Sequence, residues 1–419
     1  GQTGQLVRED KLGELPSVQH RSVYADDNLA SHDFFVEKDP DSDYYAVASF
    51  SGTPIRKNDS IRERISVQHF SPSHELINEG RYYLPDTSYS YFSYIGMAVQ
   101  GKGKVYLGAV GFNAKRKEGS APPRVIFSML SPDSSAFAHQ VLEYTTGFGN
   151  VTGCIRAAPA ISQVRMLLYV PSLQKNGGSG IIMNPFGEAA GTLKKHLQLS
   201  LPALSQNARQ NLGYKEAFKG TPQRLLLNEN GNGTLLMENL SFFKQGNSQA
   251  NMLHTNLGDI GIALLDSAGR ESAAYALSKY QVITGVCEPF QLQRRHKSEW
   301  AFRNKIAALN TNTYLSYDYI SAPGGTYVFF NDYLQYLDTG GQDKVRRPLK
   351  FATDANLVCY RFNGGRMEKM FLFGMPEVTK GYACMMGAAD YNAQARTYAA
   401  IVISRDGTEK KANIAWIQL

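Results

Sequence analysis

Short runs of alternating or continuous apolar residues recur along this chain, and each is followed by a turn and a second run of similar length. The clearest examples are residues 65–70 with a turn at 71–74 and residues 125–130 with a turn at 131–134. A period of two is typical of β-strands, and Ser, Pro, Asn, Asp and Gly favour tight turns. The repeated unit is therefore a predicted β-hairpin.

This hairpin recurs six times, with turns at 71–74, 131–134, 184–187, 266–269, 362–365 and 405–408. A second kind of hairpin lies between these copies, over residues 92–110, 225–237 and 317–330. One hairpin of each kind makes a four-stranded blade, and most intervals between turns fit one blade with an insertion. We therefore predict an all-β fold, a β-propeller of about six four-stranded blades, with residues 1–419 forming a single domain.

An alternative is a β-sandwich followed by a separate β-domain. Six regular hairpins disfavour it, because sandwiches built from them would leave many strand edges exposed. A closed ring usually completes one blade with strands from both termini. The region of Val23 and Tyr24, or residues 44–48, is therefore expected to pair near the strand at 414–416.

Two insertions interrupt the predicted blades, near residues 201–222 and 286–312. Residues 201–214 have the composition of a polar loop. Residues 291–309 instead place Phe302, Ile306 and Leu309 at the i, i+4, i+7 spacing of one helical face. We predict one short inserted helix there and almost no helix elsewhere.

The inserted helix also carries the sequence's candidate binding residues, which are Arg294, Arg295, Trp300 and Arg303. Basic residues around an aromatic anchor favour contact with an anionic partner, since Trp and Arg are frequent at interface hot spots. The other interpretation is a crossover between blades with a solvated basic face. The pattern leaves both open.

The charge balance and the apolar runs of the chain disfavour two classes of protein, nucleic-acid binders and membrane-spanning proteins. The 44 basic and 37 acidic residues give a net charge of +7, spread along the chain rather than gathered in one stripe, which disfavours a nucleic-acid partner. No apolar run approaches the length needed to span a bilayer. With 24 Tyr, 21 Phe and 38 Gly, the composition is typical of many strands joined by tight turns.

Metal and cofactor motifs are not recognised. The four cysteines lack paired spacing and are expected to be buried apolar residues, with Cys359 and Cys384 the one pair considered for a disulfide. The carboxylates that begin at Asp39 resemble the start of a calcium loop. However, Tyr44 and Phe50 occupy the positions where such a loop needs Gly and Glu. A solvated acidic turn is predicted there, with no metal and no cofactor.

Residues 258–269 and 325–333 resemble the strand and turn sequences of uncharacterised secreted bacterial β-propeller proteins, and the resemblance covers roughly residues 225–419. It implies a periplasmic or extracellular protein, with a lipid anchor as one option. It assigns no catalytic residue. The chain begins at Gly1 without an initiator Met, so we expect a precursor with a signal peptide or lipoprotein signal.

Without a catalytic motif, the favoured function is a monomeric binding or scaffolding module of the bacterial envelope. Its loops would meet a protein or glycan partner, with neither nucleic acid nor a membrane span involved. The alternative is a glycan-active hydrolase or lyase. Its carboxylates or tyrosines would converge in an axial pocket from different blades, where no linear motif reveals them.

Overall fold

The structure is a computed structural model. It describes residues 9, 11, 33–50, 65–82, 89, 91–113, 121–145, 151–158, 162–170, 180–187, 191–193, 197–245, 252–294, 299–301, 312–333, 347–363, 365–374 and 380–419. These residues group into two compact units. The first takes its members from 1–151, 170–178 and 298–304, and the second from 152–169, 179–297 and 305–419. Whether residues 1–419 form one domain stays a prediction.

The described strands are, in chain order, Asp33–Lys38 (β1), Tyr45–Phe50 (β2), Ile65–Phe70 (β3), Leu76–Arg81 (β4), Tyr91–Val99 (β5), Val105–Phe112 (β6), Arg124–Leu130 (β7), Phe137–Thr145 (β8), Thr152–Ala158 (β9), Gln163–Val170 (β10), Gly180–Gly187 (β11), Thr192–Leu193 (β12), Leu197–Gln198 (β13), Thr221–Leu227 (β14), Gly233–Gln245 (β15), Met252–Leu265 (β16), Glu271–Leu277 (β17), Gln281–Thr284 (β18), Glu299–Ala301 (β19), Tyr317–Ala322 (β20), Gly325–Tyr333 (β21), Ala355–Asn363 (β22), Arg366–Met370 (β23), Lys380–Asn392 (β24), Thr397–Asp406 (β25) and Glu409–Gln418 (β26). The described helices are Pro202–Leu212 (α1), Gln291–Arg294 (α2) and a 3-10 turn at Ala352–Asp354.

The first unit holds two antiparallel sheets. Strands β1 to β4 follow one another in space as in sequence, with β19 added beside β1, and β5 to β8 form the second sheet in the same consecutive order. Their inward residues form one apolar cluster that includes Ala46, Val67, Leu107 and Ile126, each 0 % exposed. Alternating apolar residues on neighbouring strands can pack this way because successive side chains point to opposite faces.

The second unit contains three sheets. One runs in the order β12, β11, β10, β9, another in the order β14, β15, β16, β17, and the third in the order β20, β21, β22, β24, β25, β26. The third sheet consists of two meanders, β20 to β23 and β24 to β26, joined by the single parallel pair Asn356–Tyr382.

The all-β prediction is confirmed, and the consecutive antiparallel meanders are the blades predicted for a β-propeller. Six meanders lie in the described residues, and five of them contain a predicted turn where two strands meet. The hairpins at 92–110, 225–237 and 317–330 supply the first two strands of their meanders, as expected. One turn is wrong: residues 184–187 continue β11, because Asn184 and Pro185 extend the strand up to its pairing of Phe186 with Leu193.

Of the two pairings predicted for the C-terminal strand, the one with residues 44–48 is wrong. Residues 44–48 do not pair with the C-terminal strand, since β2 has β1 on one side and β3 on the other. Val23 and Tyr24 lie outside the described residues. Strand β26 pairs with β25 and is the edge of its sheet in the part of the chain that the structure describes.

The prediction of a polar loop at 201–214 is wrong, because residues 202–212 form helix α1. Pro202 occupies the first turn, Gly213 ends the helix with a φ of 72°, and Leu204 and Ala208 are buried one turn apart. The Glu271 carboxylate accepts hydrogen bonds from the backbone N–H groups of Ala203 (2.6 Å) and Leu204 (2.9 Å). Two apolar residues at i, i+4 and an acceptor from another strand therefore stabilise a helix in a largely polar sequence.

The predicted helix at 291–309 is wrong in its extent. Of the described residues in this range, Gln291–Arg294 is helical and Glu299–Ala301 forms strand β19, in which Trp300 pairs with Phe34. Pairing with β1 satisfies backbone groups that a helix would have satisfied locally, and aromatic residues suit strands. Residues 295–298 and 302–311 lie outside the described residues.

The cysteines agree with the sequence prediction, whereas the acidic turn differs from it. All four cysteines are buried, as predicted, and Cys359 and Cys384 share one apolar cluster as thiols. The acidic turn is not solvated at its first position: Asp39 is only 6 % exposed, and its Oδ2 accepts a hydrogen bond from the Gly101 N–H at 3.0 Å. No helix among the described residues is long and apolar enough to cross a membrane.

Candidate functional site

A cleft of about 430 Å³ opens in the second unit where the first strands of three successive meanders come together. These strands are β14, β20 and β24, with β25 behind β24. Polar and aromatic side chains dominate the lining, which includes Arg224, Asn228, Asn232, Thr234, Asp318, Tyr319, Ser321, Asp390, Tyr391 and Tyr398. The volume lies within the roughly 300 to 1,000 Å³ of ordinary small-molecule sites.

Two of the strands that line the cleft, β14 and β24, have a register shift in their pairing with the next strand. The register of β14 against β15 shifts between Pro222 and Arg224, and that of β24 against β25 shifts between Cys384 and Ala389. A bulge bends a strand and redirects the side chains next to it, and such irregularities are common at functional sites. Arg224 and Asp390 therefore enter the cleft from bulged strands.

Tyr398 and Asp318 form the best-defined contact of the cleft. The Tyr398 hydroxyl donates a hydrogen bond to Oδ2 of Asp318 at 2.7 Å, and the Tyr398 ring stacks on Phe329 with centroids 4.8 Å apart. Burial, helped by the negative charge of Asp318, raises the pKa of Tyr398 well above its ordinary value. Tyr398 is therefore a neutral donor that orients the carboxylate, and it is unsuited to act as a phenolate base.

Arg224 brings positive charge to the same cleft. Burial and the neighbouring Arg156 lower the pKa of its guanidinium, and the charge of Asp318 opposes that change. Arg156 lies on β9, the first strand of the preceding meander, and its Nε donates to the carbonyl of Leu225 at 3.3 Å. An arginine keeps its charge in proteins, so Arg224 offers donors in a fixed planar arrangement to an acceptor in the cleft.

Asp390 and Tyr391 line the cleft from β24, where Tyr391 pairs with Tyr398 of β25. Oδ1 of Asp390 accepts a hydrogen bond from the Tyr391 N–H at 2.8 Å, which fixes the carboxylate against its own strand. The hydroxyl of Tyr391 is buried and meets no hydrogen-bond partner among the described residues. A buried hydroxyl of this kind gains from a polar ligand atom, because an unpaired polar group costs free energy.

A buried polar cluster links two neighbouring meanders of the second unit. Nζ of Lys279 lies 2.5 Å from Oε1 of Glu238, both side chains are 0 % exposed, and Ser316 also donates to Oε1 of Glu238. Lys279 donates further to the carbonyl of Leu257 at 2.9 Å, and Gln281 donates to the carbonyl of Asn331 at 2.6 Å. Ser316 directly precedes β20, so this cluster fixes the start of the strand that carries Asp318.

Two of the four candidate binding residues from the sequence lie in described elements. Arg294 ends helix α2 and Trp300 lies in strand β19, while Arg295 and Arg303 lie outside the described residues. Their role in binding stays a prediction.

Sequence reasoning missed the cleft residues because Arg224, Asp318, Asp390 and Tyr398 come from separate strands with no common motif. The sequence offers only an indirect indication of such a site. The first strands of successive propeller blades meet at the axis, so polar residues in these strands are expected to converge. Polar or charged residues inside otherwise apolar first strands, such as Arg224 beside Leu225 and Asp318 beside Tyr317, mark such positions. Across the part of the chain that the structure describes, no three His, Cys, Asp or Glu side chains gather as a metal ion would need.

Comparison with known proteins yields neither a matching family model nor a matching curated protein. Among solved structures, the chain is similar to polysaccharide lyase Uly1 at 9 % identity and a TM-score of 0.41, over 93 % of this chain and 82 % of that one. It is similar to the beta-propeller domain of the Trilobed protease from Pyrococcus furiosus at 9 % identity and a TM-score of 0.28, over 77 % and 84 %. It is also similar to the alpha-L-arabinanase of Cellvibrio cellulosa at 12 % identity and a TM-score of 0.28, over 82 % and 96 %. At TM-scores this low none of these likenesses indicates an activity, and the fold assignment depends on the chain's own sheets.

Proposed function

We propose that the protein is a glycan-binding module and that the cleft formed by β14, β20 and β24 is its binding site. The observation that carries the proposal is the convergence of Arg224, Asp318 and Asp390, from three successive meanders, on one polar cleft. Sugar hydroxyls both donate and accept hydrogen bonds, so they pair with a carboxylate and a guanidinium at once. The tyrosine rings add apolar faces with polar tips, which suit the mixed surface of a sugar ring.

Binding is favoured over catalysis by how the charged groups are engaged. The Tyr398 hydroxyl holds one oxygen of Asp318, and Asp390 accepts a hydrogen bond from its own strand. These contacts stabilise carboxylates as fixed acceptors. A general acid would instead need a carboxyl oxygen that is free to present a proton to the glycosidic oxygen.

The second candidate is a glycan hydrolase, because two carboxylates, Asp318 and Asp390, line the same cleft. Hydrolysis of a glycosidic bond commonly uses such a pair. A lyase that uses a tyrosine base is less well supported, since burial raises the pKa of Tyr398 and keeps the phenol protonated.

The test is titration of the purified protein against a panel of neutral, uronic-acid and amino-sugar oligosaccharides, followed by calorimetry on any that bind. Asp318→Asn and Arg224→Gln are expected to weaken binding about tenfold or more, since each removes a charge-assisted hydrogen bond. Asp133→Asn, on the exposed turn between β7 and β8, is the matched control and should bind as wild type. Unchanged affinity in both cleft variants would rule out this site.

Product analysis separates the two candidates. Each bound oligosaccharide is incubated with the protein, and new reducing ends are measured. A binding module releases none. If the wild-type protein forms new reducing ends, and Asp390→Asn abolishes this activity without lowering affinity, the function is hydrolysis rather than binding.

We also propose an extracytoplasmic location, which the resemblance of residues 225–419 to secreted bacterial proteins supports. Fractionation of the native cells and N-terminal sequencing of the mature protein test it. Recovery only from the cytosol with an uncleaved leader would refute it.

A further inference from the structure

The C-terminal strand presents apolar side chains to solvent at a sheet edge. In β26, Ile414 is 64 % exposed and Trp416 is 71 % exposed, and the neighbouring Ile401 on β25 is 40 % exposed. Ile401 pairs directly with Ile414, and Ala399 pairs with Trp416, so these residues share one face. Large apolar side chains clustered on one exposed face mark an interaction surface.

The two faces of β26 differ in what they contact. Ala415 and Ile417 pack against the apolar cluster of Phe329, Leu357 and Val402. The alternate residues Lys410, Ala412, Ile414, Trp416 and Gln418 are all exposed. Among the described residues, β25 is the strand that pairs with β26, so the outer edge presents backbone donors and acceptors along ten residues.

We propose that β26 pairs antiparallel with β26 of a second copy of this chain, with Ile414 opposite Ile414 at the two-fold axis. Two copies of one edge strand can extend both sheets into a continuous antiparallel sheet. The monomer expected from the sequence would then be the minor species.

The order of residues along β26 supports a second copy as the occupant. With Ile414 at the centre, Trp416 of each strand faces Ala412 of the other, a large residue against a small one. Lys410 then faces Gln418, so the lysines of the two copies do not face each other. On the face that carries Ile414 and Trp416, apolar positions meet apolar positions and polar positions meet polar ones, which a self-complementary interface requires.

Neighbouring registers match less well. Centring on Asn413 places Lys410 against Trp416, and centring on Ala415 places Ala412 against Gln418 and leaves Lys410 without a partner. Lysines on an edge strand normally discourage pairing. Here Lys410 and Lys411 stand at one end of β26, so the antiparallel register separates them from their symmetry mates.

Cysteine cross-linking tests the register. In the proposed dimer, the Cα atoms of two Ile414→Cys residues lie about 4.5 to 5.5 Å apart, within the range of a disulfide. Lys411→Cys is the matched control, since its two copies lie about 20 Å apart at 3.3 Å per residue. We expect mild oxidation to convert Ile414→Cys into a covalent dimer and to leave Lys411→Cys monomeric on a non-reducing gel.

Sedimentation velocity over a range of concentrations tests the dimer without a new thiol. Wild-type protein should show a monomer–dimer equilibrium, and Trp416→Asp should weaken it about tenfold or more, because it removes an aromatic anchor and places two carboxylates in the interface. Lys380→Asp, on the same sheet at the exposed start of β24, should leave the equilibrium unchanged.

Three results would overturn the proposal: a monomer at every concentration, equal cross-linking of both cysteine variants, or open-ended polymers instead of dimers. Glycan titration of Trp416→Asp keeps this inference separate from the proposed function. The cleft residues do not include Trp416, so a monomeric variant that still binds glycan contradicts neither proposal.

Discussion

The hydroxyl of Tyr398 donates a 2.7 Å hydrogen bond to Oδ2 of Asp318, although the two residues are 80 positions apart. Tyr398 lies in β25 and Asp318 in β20, which belong to successive meanders of the second unit. The contact orients a carboxylate at the wall of the candidate glycan cleft. It also gives the most direct test of how that wall is organised.

Tyr398→Phe removes this hydrogen bond and keeps the ring that stacks on Phe329. We expect a loss of about 1 kcal/mol in the free energy of unfolding and a several-fold lower affinity for the bound oligosaccharide, since Asp318 is no longer oriented. Chemical denaturation and calorimetry measure the two effects. Tyr169→Phe, a partly buried tyrosine on β10 outside the cleft, should change stability at most slightly and leave affinity intact; equal affinity loss in both variants would count against the assigned contact.

Lys279→Met leaves the Glu238 carboxylate buried without its counter-charge. The expected cost is about 3 to 5 kcal/mol in the free energy of unfolding, the usual effect of breaking one side of a buried ion pair. The double variant Lys279→Met, Glu238→Gln removes both charges and keeps an acceptor for Ser316, so it should recover much of that loss. Urea unfolding of the wild type, both single variants and the double variant gives the coupling energy. A double variant whose loss equals the sum of the two single losses would show that the pair is not coupled.

His69 makes the stability of the first unit depend on pH. Burial lowers the pKa of His69 below its ordinary value of 6.5, outweighing the hydrogen bond between its Nε2 and the carbonyl of Gly101 at 3.0 Å. The unfolded chain therefore binds a proton more readily than the folded one, so stability is full above pH 6.5 and falls as the pH drops below that value.

Thermal unfolding between pH 7.5 and about 5 checks the direction of this effect. His69→Gln should flatten the acid side of the profile, because the titrating group is gone. His74→Gln, an exposed histidine in the same unit, is the matched control and should keep the wild-type slope. An unchanged slope in His69→Gln would assign the acid sensitivity to other groups.

The basic segment found in the sequence supplies a competing site that the same glycan titration can test. If it binds an anionic partner, Arg294→Ala with Arg295→Ala should weaken binding of uronic-acid oligosaccharides and shift stability by no more than about 0.5 kcal/mol. Trp300→Ala distinguishes the two interpretations: a buried aromatic costs about 3 to 5 kcal/mol when truncated, whereas an exposed anchor lowers affinity alone. Marked destabilisation by Trp300→Ala, together with normal binding in the double arginine variant, would leave the cleft as the binding site.

Periodicity along the sequence determined the strands, most of the turns and the number of meanders. This works because a strand with one buried face must alternate, and because turn residues such as Gly407 and Pro132 act through their own backbone preferences. The sequence did not predict helix α1, because only Leu204 and Ala208 form its buried face. In addition, the Glu271 carboxylate that caps the helix lies in a distant strand, β17. Trp300 belongs to a strand for a similar reason, since the partner that decides its conformation is Phe34.

The candidate site is a matter of tertiary structure alone. Arg224, Asp318, Asp390 and Tyr398 are spread over the second half of the chain, and each by itself looks like a polar residue in an apolar strand. Their chemistry depends on distances between strands of different meanders, and these distances follow from how whole sheets pack rather than from local sequence preference. Sequence thus determined which segments become strands, while only the folded chain decided which of their polar side chains share a cleft.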